Sequence, residues 1–309
     1  MNSELTNLIR DNQSDKLIEK AIIGGSEKAI KECQKRRISF LASLKSYQSS
    51  DPDPIYSRII TLTSFMGLEC YKSFILKNDW SYIVNINAEL NYNVFTDPYF
   101  NKRIMLKNGF DCGSIDDLSK ISLCALMNLG LRKGKLAKKC IDILENDCMP
   151  KRLISYKKGE PPKAVNWHPY FASQLFHGVY GDKVNFLNNG RPGCKEFSDV
   201  LINWHDDERL TAAIEAMLAY KFKIIKQGMR NSDVYYYHDW TYRLFPIELW
   251  AIRAKLEEEG RCLPPTGYAE FHLDEVPKNL PQVSHELLEI LCTKFSNSLG
   301  EWSPRYEDF

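Results

Sequence analysis

The sequence predicts an all-α protein: a multi-helix bundle of antiparallel helix pairs with no significant sheet. Three observations carry this. Apolar residues recur three and four apart through most of the chain, the period of one buried helix face. Acids, prolines and capping residues stand before those stripes, and glycines stand after them. Strand signal is confined to YIVNINAEL (82–90), which alternates briefly and also fits a helix; strands do not alternate with helices, which argues against a parallel sheet.

The elements follow in order. Residues 13–22 and 26–47 read as helices broken by Gly24-Gly25. In DPDPIYSRIITLTSFMGLECYKSFIL, Asp53 can cap and Pro54 can take the first helical position. Ile59, Leu62, Met66, Cys70 and Phe74 then form one stripe. Ser114 and Asp117 resemble a capping box before LSKISLCALMNLG, and Gly130 can end that helix. LRKGKLAKKCIDILEND follows after a short connection, which makes an αα-hairpin. The segment 148–166 is basic and rich in proline, and reads as a connecting loop between an N-terminal helical part (1–147) and a C-terminal one (167–309). Helices are expected near 168–179, 181–189, 195–204, 206–227, 245–259 and 284–297, with 260–283 wrapping the surface.

With 309 residues, 44% of them hydrophobic, the chain is long enough for a real core. No apolar run reaches the roughly 18 residues of a membrane span. The polar start MNSELTNLIRDNQSDK lacks the basic and apolar regions of a signal peptide, so a cytoplasmic protein is expected. Nine cysteines at irregular spacing, none in a CxxC, read as small buried hydrophobes and not as a zinc site. Net charge is +1, but residues 1–195 hold 29 Lys+Arg against 20 Asp+Glu and residues 196–309 hold 12 against 20. Such asymmetry fits a bipolar surface or docking onto a charged partner. The basic helix RKGKLAKK (132–139) has no interleaved aromatics, so nucleic acid is not expected as a partner.

The familiar catalytic motifs are absent. GLRKGKL lacks the spacing and the Ser or Thr of a P-loop, and no GxGxxG, GxSxG or HExxH occurs. Two His-Asp pairs raise a metal reading, in which His177, His205, Asp206 and Asp239 would hold a divalent metal as in HD-type phosphohydrolases. The competing account is simpler. Asp206, Asp207 and Glu208 complement the positive end of a helix whose stripe is Leu210, Ile214, Met217 and Ile224. Pro246 places a helix start at about residue 246, with Phe245, Leu249, Ile252 and Leu256 inward and Glu248, Lys255 and Glu259 on the other face. His238 and Asp239 then fall in the aromatic segment VYYYHDWTY, where Tyr236 and Trp240 suit a packed loop or a contact surface. No catalytic residue, cofactor or metal is assigned on this account.

Within residues 196–283, DDERLTAAIEAMLAYKFKI, FPIELWAIRAKLEEEG and the proline-rich approach LPPTG…VPKNLP to a last helix together resemble the bacterial immunity protein 49 family of polymorphic-toxin immunity proteins. The resemblance implies a non-enzymatic antitoxin whose partner is a cognate toxin delivered by contact-dependent or type VI secretion, with no membrane contact. Asp206, Asp207, Glu257, Glu258 and Glu259 are the acids that could meet a basic toxin cleft. A metal-dependent HD-type hydrolase and a helical scaffold or adaptor are the alternatives.

Overall fold

The structure, a computed structural model, describes residues 6–7, 26–53, 79–108, 115–148, 168–178, 180, 194–227 and 245–309. Among them nine α-helices form and no strand: α1 (Ser26–Ser46), α2 (Trp80–Asn108), α3 (Ile115–Gly130), α4 (Gly134–Asp142), α5 (His168–His177), α6 (Lys195–Ile202), α7 (Asp207–Gln227), α8 (Ile247–Glu258) and α9 (Glu286–Leu299). A π-helical turn, Ile143–Cys148, extends α4. YIVNINAEL lies inside α2, so its short alternation belongs to a helix buried on most sides. The expected helices at 13–22, 54–74 and 181–189, the body of the 148–166 segment and VYYYHDWTY lie outside the described residues.

The chain divides into two compact units that interleave along the sequence. One comprises Met1–Asn12, Gly113–His238 and Tyr242–Pro277, and the other Gln13–Cys112, Asp239–Thr241 and Lys278–Phe309. The division does not fall at 148–166. Helices on both sides of that segment, α4 and α5, pack against α3 in the first unit. In the second unit α9 returns to α1 and α2. Leu287, Leu288, Leu291 and Phe295 of α9 meet Phe40 and Leu44 of α1 and Ala88, Tyr92 and Phe100 of α2. The chain end joins this core, with Phe309 stacked on Phe95 at a ring separation of 6.4 Å.

The units also change the meaning of the charge asymmetry. Counted over its own residues, the first unit holds 24 Lys+Arg and 23 Asp+Glu, and the second holds 17 of each. Bases from the first part of the chain meet acids from the second within each unit, as Arg132 meets Glu257 and Lys45 meets Glu286. The asymmetry along the sequence therefore does not separate two oppositely charged bodies.

Helix α8 packs on α3 and is buried over most of its surface, with nine of its twelve residues buried, Ile247 to Ala254 and Leu256. The inward set Phe245, Leu249, Ile252 and Leu256 is buried as the spacing predicts. Glu248 is not on an outer face. Its carboxylate is fully buried, and it takes a hydrogen bond from Lys221 Nζ of α7 at 2.7 Å and stands 3.5 Å from His168 Nε2 of α5. Lys221 also donates to the Phe245 carbonyl at 2.9 Å. Burial pushes the Glu248 carboxyl up, but Lys221 and His168 outweigh it and hold it at about 2. Burial pushes the His168 imidazole down, against the pull of Glu248.

Helix α3 ends at Gly130 as expected, but Gly130 is not the left-handed residue of the stop. The left-handed position after α3 is taken by Arg132, at φ 58°. Arg132 N–H bonds to the Leu129 carbonyl and Lys133 N–H to the Asn128 carbonyl, the paired bonds of a Schellman turn. Gly130 instead lets α3 touch α8, since a Cβ there would sit 2.5 Å from Trp250 Cβ.

The segment 260–277 does more than wrap the surface. Tyr268 and Leu273 are fully buried. The Leu273 carbonyl accepts Trp250 Nε1–H at 2.7 Å, while Arg253 donates to the Leu263 and Pro264 carbonyls and to Asp274. The prolines and turn formers give the segment its irregular path. Its scattered apolar residues and the Trp250 and Arg253 donors of α8 bring that path inward.

Candidate functional site

The first turn of α7 and the last turn of α8 carry the acids singled out in the sequence. Asp206 is the N-cap of α7: its Oδ1 accepts the Arg209 backbone N–H at 3.1 Å. Asp207 and Glu208 follow in the first turn, where negative charge suits the helix dipole. The α7 stripe behind them, Leu210, Ile214, Met217 and Ile224, is buried. At the far end, Gly260 at φ 71° closes α8, and the Arg261 N–H returns to the Leu256 carbonyl at 2.8 Å. That turn aims Arg261 back toward α7.

Arg261 ties the two ends together. It donates to Asp207 Oδ1 at 2.6 Å, to Glu259 Oε2 at 3.0 Å and to the Trp204 carbonyl at 2.7 Å. The buried Trp204 indole donates its Nε1–H to both Glu259 oxygens, at 2.9 and 3.0 Å. Tyr180 stacks on Trp204 with ring centroids 4.2 Å apart, and His205 meets the Tyr180 ring edge-on. Burial raises the Tyr180 hydroxyl, and the nearby charges of Glu259 and Glu258 raise it further. Glu257 is held by Arg132 through two donors, at 2.7 to 3.1 Å, and Glu258 pairs with Lys255.

Asp206, Asp207, Glu208, Glu257, Glu258 and Glu259 are all exposed and form the acidic ridge of these two helix ends, with basic side chains paired into it: Arg209 with Asp206, Arg261 with Asp207 and Glu259, Arg132 with Glu257 and Lys255 with Glu258. The sequence places these acids but not the residues that join them. Arg261 and Trp204 belong to no motif in the sequence. The available signal was Gly260, whose position after an apolar stripe turns the next residue back over the helix. Removing the cap should be measurable: Asp206→Ala is expected to cost about 1 kcal/mol in urea unfolding. A loss below a few tenths of a kcal/mol would show that the Asp206 side chain does not stabilise α7.

The residues of the metal reading do not come together on what the structure describes. His177 lies on α5, with Nε2 3.0 Å from Glu145 Oε1, and Ser173 Oγ donates to the same oxygen. His205 rests on Tyr180, and Asp206 caps α7. Asp239, with Tyr236 and Trp240 of the proposed contact surface, is outside the described residues. Among the described residues no group of three or more His, Cys, Asp or Glu is placed to hold a metal ion. No described helix is long and apolar enough to cross a membrane.

Compared with known proteins, the chain matches no family model, no curated protein and no solved structure.

Proposed function

We propose that this chain is an immunity protein that neutralises a cognate bacterial toxin by forming a stoichiometric complex. The observation that carries the reading is the carboxylate ridge. Its acids are exposed, and Arg132, Arg261 and Trp204 fix Glu257, Asp207 and Glu259 before any partner arrives. A preordered acidic surface loses little conformational freedom on binding and speeds encounter with a basic partner. The resemblance over residues 196–283 supports the same reading. Both units are close to neutral and Arg132, Arg209, Lys255 and Arg261 stand among the ridge acids, so the reading relies on short-range charge complementarity at the ridge and not on the charge of the whole molecule.

The test is co-production with each candidate toxin encoded beside this gene. Growth should be restored, and the two chains should copurify in equimolar amounts. Absence of rescue together with absence of a complex would contradict the proposal. Rescue by catalytic amounts of the chain, without a complex, would point to an enzyme acting on the toxin or its product.

A further inference from the structure

Two patches combine charge with an exposed large apolar side chain. The first is the outward face of α1. Lys31, Lys35, Ile38, Ala42 and Lys45 recur four, three, four and three apart, so they line one side of the helix, and all five are exposed. Phe40 and Leu44, on the other side, lie in the core of the second unit. Over its length α1 holds six bases, Lys28, Lys31, Lys35, Arg36, Arg37 and Lys45, against two acids, Glu27 and Glu32. Lys45 is paired with Glu286 of α9, so the basic part of the face is its Lys31–Ile38 half.

The second patch is the acidic ridge of the first unit. Ile202, the last residue of α6, stands two residues before Trp204 and four before Asp206. The Asp206 N–H bonds to the Asn203 carbonyl at 3.0 Å, which folds this turn tightly onto the start of α7. The six ridge acids outnumber the four bases paired into them, Arg132, Arg209, Lys255 and Arg261. Among the described residues, Ile38 and Ile202 are the large apolar side chains left exposed, at 70% and 47%. One stands on the basic face and the other beside the acidic ridge.

We propose that these two patches bind each other between copies of this chain. The α1 face of one copy docks on the ridge of a second, with Lys31 and Lys35 toward the acids and Ile38 toward the Ile202 turn. This arrangement sets apolar contact inside opposite charge. The two surfaces differ, so the contact is heterologous and extends into rings or open chains. It is also weak. One face of a 21-residue helix is about 30 Å long and roughly 10 Å wide, well below the about 800 Å² that each partner contributes to a stable complex. Self-association is therefore a reversible, salt-sensitive cover on the ridge, which a tighter partner displaces. It stands apart from the toxin reading, because only this chain takes part.

Sedimentation velocity of the full chain is the test. From about 10 to 500 µM at low salt the weight-average mass should rise about 1.5-fold or more, and at about 0.5 M salt it should stay near that of one chain. Lys31→Glu with Lys35→Glu should abolish the rise, and so should Glu208→Lys with Glu258→Lys. An equimolar mixture of these two variants should restore it, because the acidic α1 face of one then meets the basic ridge of the other. Ile38→Ser and Ile202→Ser should each weaken association about threefold or more at unchanged charge. A single-chain mass at every concentration, association that survives either charge reversal, a mixture that stays monomeric, or serine variants that associate like the unsubstituted chain would each overturn the proposal. The concentration series and the serine variants decide even if a charge-reversed chain does not fold.

Discussion

Replacing Glu248 by alanine should destabilise the first unit by about 3–5 kcal/mol, because it leaves the Lys221 ammonium buried without its carboxylate. Lys221 and Glu248 are both about 1% exposed, so water cannot take the place of the lost partner. Lys221→Ala should cost a similar amount for the mirror-image reason. Replacing both together, Lys221→Met with Glu248→Leu, removes the two charges at similar volume and should recover most of the loss. Urea unfolding of the three variants measures this. Equal, additive losses would contradict it, since they would mean that the two charges do not depend on each other.

The same cluster sets an acid response, and the sign follows from proton counts. Glu248 is held at about 2 in the folded chain against 4.5 as its ordinary value. The unfolded chain therefore binds more protons in that window. The stability that Glu248 contributes is full above about 4.5 and is lost as pH falls toward 2. His168, pushed down by burial, acts in the same direction and begins earlier, as pH drops below its ordinary 6.5. Stability should decline from about pH 6.5 downward, and the double Lys221→Met, Glu248→Leu variant should flatten the lower part of that decline.

The second large effect is expected at Gly130. In Gly130→Ala the added methyl would stand 2.5 Å from Trp250 Cβ and 3.0 Å from the Trp250 carbonyl carbon, so α3 and α8 must move apart. Overpacking of this kind costs about 1–3 kcal/mol. In an exposed helix interior the same change would stabilise by up to about 1 kcal/mol through helix propensity, so the sign alone is informative. A thermal melt showing no loss would mean that the helices are not in contact at this glycine.

These two sites mark where sequence reasoning stopped. Most helices of the described residues are legible from an apolar stripe with a start or stop signal, but α2 (Trp80–Asn108) is not: it is buried on most sides, so its sequence shows no single stripe and offers only the brief alternation of YIVNINAEL. The α7 stripe and the start of α8 after Pro246 are examples of the legible kind, and both occur as expected. The sequence predicts an outward-facing Glu248, because a charged residue beside an apolar stripe is usually solvated. Nothing local tells that Lys221, four residues after Met217 on the buried face of α7, waits to receive it. Gly130 marks the helix end that its sequence position predicts, but the need for glycine there comes from a tryptophan 120 positions away in sequence. The interleaved units were illegible for the same cause: the partner faces of α9 lie in α1 and α2, and periodicity carries no record of which stripe meets which. In the candidate site the acids were legible as residue types, while their convergence depends on the Gly260 turn and the reach of Arg261.

The most direct test of the binding account is the association rate of the purified chain with its toxin, measured by stopped flow at low and high salt. Glu208→Lys with Glu258→Lys reverses two exposed carboxylates of the ridge. The account predicts that association slows about tenfold or more at low salt and that the difference shrinks as salt rises, with a stability loss of no more than about 2 kcal/mol from the reversed charges at the α7 start and beside Lys255. An unchanged association rate in the double variant, with the complex still formed, would contradict the ridge as the contact surface, and the absence of any complex with the unsubstituted chain would contradict the immunity function itself.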